Sequence, residues 1–125
     1  MTNRVVVAVD DDVRVRESVA LLSESAGLEV EVFPSAEDMF SSGVLVRAGC
    51  LITDVRMPGM DGLELQHRAR LAYPKLPVIL ISAHVDEAVR QRSLSAGAFE
   101  FLYKPFDADE LLRAIKKALE QTPEL

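Results

Sequence analysis

Cysteine, basic side chains and long apolar segments are all scarce in this sequence. One of its 125 residues is cysteine, and its 14 Lys and Arg residues are outnumbered by 20 Asp and Glu, which gives a net charge of −6. Cys50 cannot form an internal disulfide, which agrees with a reducing compartment. The negative charge argues against direct nucleic-acid binding, since that depends on neutralising phosphates with basic side chains. No apolar run is long enough for a membrane span or a signal peptide, so we expect a cytoplasmic chain without membrane contact.

The length and composition fit a single domain. A chain of 125 residues, 49% hydrophobic and 27% charged, can bury one core and leaves no room for a second domain. We assign residues 1–121 to this domain. Residues 122–125 form a short tail that would suit the start of a linker. The sequence leaves open whether the chain is free-standing or part of a longer protein.

Apolar runs alternate along the chain with segments of helical periodicity. The runs predict five strands, at residues 4–9, 28–33, 50–53, 77–82 and 99–103. A helix is predicted after each strand, with candidate N-caps at Asp12, Ser35, Asp61 and Asp107. The helix at residues 85–96 has the poorest apolar stripe, so we expect it to be the least firmly docked. Strands that alternate with helices form a parallel sheet covered by helices on both faces.

Polar side chains follow or end four of the predicted strands. The acidic run Asp10 to Asp12, then Asp54, Ser82 and Lys104, occupy these positions. Parallel strands end together, and open α/β sheets bind ligands at that edge. Acidic side chains gathered there repel one another, and a hard divalent cation such as Mg²⁺ best relieves the repulsion. Asp12 fits the role of a helix N-cap better than that of a metal ligand.

This arrangement of residues suits phosphoryl transfer to a carboxylate. With the cluster neutralised by a metal, Asp54 can attack the phosphorus of a dianionic donor. Ser82 and Lys104 can then hold other phosphoryl oxygens by hydrogen bond and by charge. Each residue taken alone has an ordinary structural explanation. Their coincidence at four strand ends is what indicates a site.

A family resemblance emerges from the motifs at these strand ends. The motif set is Val9-Asp10-Asp11, Thr53-Asp54, Met57-Pro58-Gly59-Met60-Asp61-Gly62, Ser82-Ala83 and Lys104-Pro105-Phe106. In this order, and over nearly the whole chain, the sequence resembles the receiver domain of two-component response regulators, most closely receivers attached to helix-turn-helix transcription factors. The resemblance implies an α/β, flavodoxin-like three-layer sandwich of five helices and a five-stranded parallel sheet in the order 2-1-3-4-5. It also implies a cis bond between Lys104 and Pro105.

The resemblance assigns roles to individual residues at the site. It implies that Asp54 accepts a phosphoryl group from a sensor histidine kinase or a small phosphodonor. Asp10, Asp11 and Asp54, with the backbone carbonyl of Arg56, would bind Mg²⁺ or Mn²⁺. Such a domain is not an enzyme in its own right, but it assists its own phosphorylation and dephosphorylation.

The same resemblance implies a conformational switch. Ser82 and Lys104 would sense the phosphoryl group, and Phe101 matches the family's aromatic switch position. Phosphorylation would rearrange the face made by the fourth helix, the fifth strand and the fifth helix, and so control a homodimer or an effector such as a C-terminal DNA-binding domain outside this chain. Arg56 and His84 stand at flanking positions that vary in the family and bear on the phosphoryl lifetime.

Two other α/β families are alternatives. A phosphohydrolase of the haloacid-dehalogenase type would use Asp10 and Asp12, which satisfy its Asp-x-Asp pattern. That reading leaves Asp54 without a role and places Arg14 where the family prefers Thr or Val. A flavin-binding module is weaker still, because the first strand-to-helix loop is acidic rather than suited to cradling phosphate. The cognate kinase, the output and the phosphoryl lifetime do not follow from the sequence.

Overall fold

Five parallel strands form one sheet in this computed structural model, which describes residues 4–121. The strands are β1 Val5–Val9, β2 Val30–Phe33, β3 Ala48–Asp54, β4 Val78–Ser82 and β5 Glu100–Tyr103. The helices are α1 Val13–Ser25, α2 Ala36–Ser42, α3 Gly62–Ala72, α4 Glu87–Ser95 and α5 Ala108–Gln121, with a 3-10 turn at Val44–Arg47. The strand order β2-β1-β3-β4-β5 confirms the expected topology. The expected tail, residues 122–125, lies outside the described residues.

Two hydrophobic cores lie on opposite faces of the sheet. Alternate residues of β1 point to opposite faces, so Val7 packs with α2 and α3 through Met39 and Leu65, whereas Val6 packs with α1 through Val19. Each of these five side chains is at most 1% exposed. Complete burial of an aliphatic side chain of this kind contributes about 1.5 to 3 kcal/mol. The central strands are therefore held on both faces, and their carboxyl ends are fixed firmly relative to one another.

Side-chain caps fix where the helices begin. Cap bonds to backbone N–H groups are made by Asp12, Ser35, Asp61, Asp86 and Asp107. Four of these were predicted, and the fifth, Asp86, explains why α4 begins at Glu87 rather than at the predicted Val85. Strand β2 begins at Val30, two residues later than predicted. Among the described residues, no helix combines the length and apolar character needed to cross a membrane.

Helix α4 is the helix least secured by apolar contacts. Its buried residue is Ser93, and Val89 contributes only a half-buried side chain to the core. A polar contact supplements this packing, because the buried amide of Gln66 on α3 donates through Nε2 to the Ser93 carbonyl at 3.0 Å. The predicted weak docking of this helix is confirmed. Ala88 on α4 and Ala96 at its C-cap are exposed, so they add little to this packing.

Candidate functional site

The four polar strand ends meet at one edge of the sheet. Asp10 follows β1, Asp54 ends β3, Ser82 ends β4 and Lys104 follows β5. The strands pair in register up to this edge, with Val9 opposite Thr53, Asp54 opposite Ile81, and Ser82 opposite Tyr103. The parallel arrangement thus brings the predicted residues together. The bond between Lys104 and Pro105 is cis, as the resemblance implied.

Three carboxylates form a compact cluster at this edge. Asp10, Asp11 and Asp54 each present an oxygen, and these oxygens lie within 4.8 Å of one another. Asp10 is 3% exposed and Asp54 7%, while Asp11 faces solvent. Asp12 is not part of the cluster, since its carboxylate accepts the backbone N–H of Arg14 at 2.9 Å and caps α1. The expectation that Asp12 caps α1 is confirmed.

Lys104 provides positive charge inside the cluster. Its Nζ lies 2.9 Å from Asp10 Oδ2 and 3.4 Å from Asp54 Oδ2. Burial alone would lower the pKa of Lys104, but its close contact with Asp10 and the charge of Asp54 raise it above its ordinary value. The lysine is therefore held protonated between the two carboxylates. One positive charge faces three carboxylates, so the cluster keeps an excess of negative charge.

That excess charge acts on Asp54. Burial and the nearby charge of Asp10 raise the pKa of Asp54 above its usual value, although Lys104 works in the opposite direction. Ionised Asp54 is thus held at a position where its charge is disfavoured. An additional cation near this carboxylate would stabilise the ionised form, which is the form that can act as a nucleophile.

The donor set fits a hard divalent cation. Magnesium prefers carboxylate and carbonyl oxygens, and the cluster offers three carboxylates at the mouth of the sheet. Asp10 Oδ2 is buried and accepts no hydrogen bond of good geometry, although Lys104 Nζ lies 2.9 Å away. Its other oxygen, Oδ1, accepts the backbone N–H of Asp12 at 2.9 Å, which orients the carboxylate. A buried oxygen without a hydrogen bond beside two further carboxylates is suited to ligating a metal.

The two predicted switch residues lie on neighbouring strands. The Ser82 hydroxyl donates to the His84 carbonyl at 3.0 Å and accepts the His84 N–H at 3.1 Å, so it is engaged by the loop before α4. Phe101 is half-buried on β5, with its ring centroid 5.4 Å from that of Tyr103 in an edge-to-face arrangement. The His84 side chain is exposed. The Ser82 hydroxyl is therefore bonded to the backbone of the loop that leads to α4.

Arg56 lies in the loop after β3, and its side chain pairs with the start of α4. Its guanidinium lies 3.9 Å from Asp86 Oδ2, and both side chains are partly exposed. A surface pair at this distance contributes at most about 1 kcal/mol. The pair nevertheless spans from the loop after β3 to the helix expected to move.

Contacts that the sequence did not reveal hold the backbone around the site. Arg16 on α1 donates to the Asp10 carbonyl at 2.8 Å, and the buried Thr53 hydroxyl donates to the Asp54 carbonyl at 2.9 Å. Glu37 on α2 accepts the Met60 N–H at 2.9 Å. Arg16 and Glu37 look like ordinary solvent-facing helix residues in the sequence, so no local pattern identifies them. They hold the backbone of the site rather than its reacting atoms.

Comparison with known proteins agrees with this geometry. The family model of the response regulator receiver domain matches residues 6–116. The response regulator protein TodT of Pseudomonas putida is 41% identical over 120 residues, covering 96% of this chain and 53% of TodT. The transcriptional regulatory protein FixJ of Azorhizobium caulinodans is 40% identical over 116 residues, covering 93% of this chain and 55% of FixJ. The crystal structure of FixJ-N superposes with a TM-score of 0.87, 35% identity and 100% coverage of both chains.

These matches decide between the families considered above. The chain spans about half the length of the curated relatives it matches. The dehalogenase alternative finds no support, because the receiver match extends over residues 6–116 and Asp12, its second acid, caps a helix. The sheet order and the acidic edge are those expected from the resemblance. The chain therefore belongs to the receiver domains of two-component response regulators.

Proposed function

We propose that Asp54 is the phosphoacceptor of this receiver domain. The observation that carries the proposal is the gathering of the Asp10, Asp11 and Asp54 carboxylates around the Lys104 ammonium at the carboxyl edge of the sheet. Asp54 ends the central strand β3, so its backbone is fixed while its carboxylate stands at the mouth of the sheet. A nucleophile needs this combination of fixed position and access.

The transfer forms one bond and breaks one bond. An oxygen of ionised Asp54 attacks the phosphorus of a phosphohistidine or of acetyl phosphate, and the bond from phosphorus to the donor nitrogen or oxygen breaks. The electron pair of that bond leaves with the donor. Lys104 stabilises negative charge on the phosphoryl oxygens, and Ser82, released from its loop, donates a hydrogen bond to one of them. Water later attacks the phosphorus of the aspartyl phosphate, the bond from phosphorus to the Asp54 oxygen breaks, and inorganic phosphate leaves, which restores the carboxylate.

A divalent cation, Mg²⁺ or Mn²⁺, belongs to this proposal. Asp10, Asp11 and Asp54 would hold it, together with the backbone carbonyl of Arg56. When bound, it supplies the positive charge that lets an anionic donor approach an acidic cluster. The chain's own residues set its position, because Asp10 is oriented by the Asp12 N–H and its carbonyl is held by Arg16.

Phosphorylation of Asp54 should require both this residue and a divalent cation. Incubation with acetyl phosphate and Mg²⁺ should add one hydroxylamine-labile phosphoryl group, measured by intact mass. The Asp54→Asn variant and a metal-free sample should gain none. Asp12→Asn is a matched control, since Asn also caps helices and Asp12 lies outside the cluster. Continued labelling of Asp54→Asn, with loss of labelling in Asp10→Asn, would favour the dehalogenase-type chemistry instead.

We infer that phosphorylation acts on the face formed by α4, β5 and α5. Ser82 directly precedes the loop to α4, Phe101 lies on β5, and α4 has a single buried residue. Redirecting the Ser82 hydroxyl to the phosphoryl group removes both of its bonds to the His84 backbone. Rearranging α4 costs less than moving a helix with a full apolar stripe. The phosphoryl contacts must be present mainly in the active state if they are to shift this equilibrium.

Hydrogen exchange should locate the rearranged face. Beryllofluoride, which mimics an aspartyl phosphate, is expected together with Mg²⁺ to change amide protection between Ser82 and Leu112. The Asp54→Asn variant under the same conditions is the control and should show no change. Changes confined to α1 and α2 would place the output surface on the opposite side of the domain and contradict the inference.

The partners follow from the proposed chemistry and from the relatives. A sensor histidine kinase would supply the phosphoryl group, and the chain would assist its own phosphorylation and dephosphorylation through the groups around Asp54. The chain covers 55% of FixJ, which is named a transcriptional regulatory protein. We propose that the receiver controls a DNA-binding domain outside this chain, directly or through a homodimer made by the α4-β5-α5 face.

A further inference from the structure

The loop between β3 and α3, residues 55–61, passes from Asp54 to the start of the next helix. Its base is closed by two backbone bonds, from Val55 N–H to the Ile81 carbonyl at 2.9 Å and from Gly62 N–H to the Val55 carbonyl at 2.8 Å. Both bonds lie at the sheet end of the loop. The outer part of the loop, around Gly59 and Met60, needs a separate anchor if it is to keep one conformation.

Glu37 on α2 provides that anchor. Its Oε2 accepts the backbone N–H of Met60 at 2.9 Å, across 23 residues of sequence. The same oxygen lies 2.8 Å from where a Cβ on Gly59 would stand, and Gly59 has a φ of +75°. The carboxylate thus occupies the space that a side chain at position 59 would need. The glycine allows both the backbone turn and the close approach of Glu37.

The anchor stands on a fixed element and is itself ionised. Helix α2 is held by the fully buried Ala36 and Met39 and is capped by Ser35. The backbone N–H of Met60, followed by the N–H of Glu37 itself, holds the pKa of Glu37 below its usual value. A hydrogen bond from an N–H to a carboxylate is stronger and shorter than one to a neutral acceptor. The loop is therefore tied to the core by a charged group from another helix.

We propose that Glu37 is a positioning residue for the divalent-cation site: its carboxylate holds the loop 55–61 so that the Arg56 carbonyl faces the acidic cluster. This rests on the proposed function, which assigns that carbonyl to the metal. Glu37 is not one of the three clustered carboxylates proposed to hold the metal. It acts through the loop, so its loss should weaken metal binding while the fold and the three carboxylates stay in place.

Magnesium titration tests the proposal in the metal-bound protein. Groups that orient metal ligands typically change metal affinity by about 10-fold or more, and for this exposed carboxylate we expect Glu37→Ala to raise the Mg²⁺ dissociation constant about 3- to 10-fold. Glu37→Gln keeps an acceptor oxygen and should restore most of the affinity. Asp38→Ala is the matched control, because it removes the same charge from the same helical turn without the loop contact. Calorimetry gives the dissociation constants, and exchange of the Met60 amide reports the loop directly.

A variant at Gly59 tests the same contact between the loop and Glu37. Gly59→Ala should displace the Glu37 carboxylate and weaken Mg²⁺ binding, and adding Glu37→Ala to it should cause little further loss, since both changes break one interaction. If Gly59→Ala and Glu37→Ala weakened Mg²⁺ binding independently, so that their fold-changes multiplied in the double variant, the proposal would be overturned. So would equal effects of Glu37→Ala and Asp38→Ala, or faster Met60 exchange with unchanged Mg²⁺ affinity. If Asp54 of the wild type accepts no phosphoryl group, the proposed function itself fails, which is a different result from a normal site that does not respond to Glu37.

Discussion

Replacing Gly62 with alanine is expected to lower the free energy of unfolding by about 3 kcal/mol, at the upper end of the range for overpacking. A Cβ at this position would overlap the Asp54 carbonyl oxygen and lie 2.9 Å from Val55 Cα, which is too close for a carbon–carbon contact. Both neighbours are backbone, so no side-chain rotation relieves the clash. Relief would need the end of β3 to move, and that strand end carries the proposed phosphoacceptor.

Gly27→Ala is the matched control for Gly62→Ala. Gly27 has a φ of +77°, but a Cβ there meets nothing within 4 Å, so alanine should cost only about 1 to 2 kcal/mol for the left-handed backbone. Urea denaturation of both variants gives the comparison, and labelling by acetyl phosphate shows whether Asp54 is displaced. Equal losses of stability with normal labelling of Gly62→Ala would mean that the strand end is not held as closely as the structure indicates.

Replacing Lys104 with methionine is expected to lower the stability of the metal-free protein by about 3 kcal/mol at neutral pH. The lysine lies 2.9 Å from Asp10 and 3.4 Å from Asp54, and its removal leaves two buried carboxylates facing each other without a cation. Breaking one side of a buried ion pair is costly because the remaining charge is neither solvated nor paired. Methionine keeps most of the side-chain volume, so the loss reports charge rather than a cavity.

The loss of stability caused by Lys104→Met should depend on pH and on bound metal. Burial and Asp10 already raise the pKa of Asp54, and without Lys104 it should rise further. A group with a raised folded-state pKa stabilises the protein below its unfolded pKa and loses that stability as pH rises through the folded value. The free energy of unfolding of the variant should therefore approach that of the wild type in acid and become lower than it towards neutral pH.

Saturating Mg²⁺ should stabilise the Lys104→Met variant more than the wild type, because the metal replaces the missing positive charge. Lys116→Met, an exposed lysine on α5, is the control. Thermal or urea unfolding at several pH values, with and without Mg²⁺, measures each difference. A deficit that is constant with pH and insensitive to metal would show that Lys104 acts through packing alone.

Local signals in the sequence were sufficient to predict the strands and helices and the residues that meet at the candidate site. Apolar runs that stop at Asp10, Asp54 and Ser82 mark strands buried on both faces, and the end of a buried strand does not depend on distant residues. Caps such as Asp61 bond to N–H groups three residues away, so their pattern is visible in the chain itself. Once parallel pairing is accepted, the convergence of these strand ends at one edge is determined. The sequence by itself therefore identified the acidic cluster and Lys104.

The tertiary structure alone decided how the site is held and what its groups contact. The bond from Met60 to Glu37 joins residues 23 positions apart, and that from Gln66 to Ser93 joins residues 27 apart. The Ser82 hydroxyl is turned to its own loop, although the sequence leaves it equally able to face Asp54. Such contacts depend on how helices pack across the sheet and on differences in distance of a few tenths of an ångström. They also depend on competition among several possible hydrogen-bond partners. No periodicity or capping pattern encodes them, because their partners are neighbours only in the folded chain.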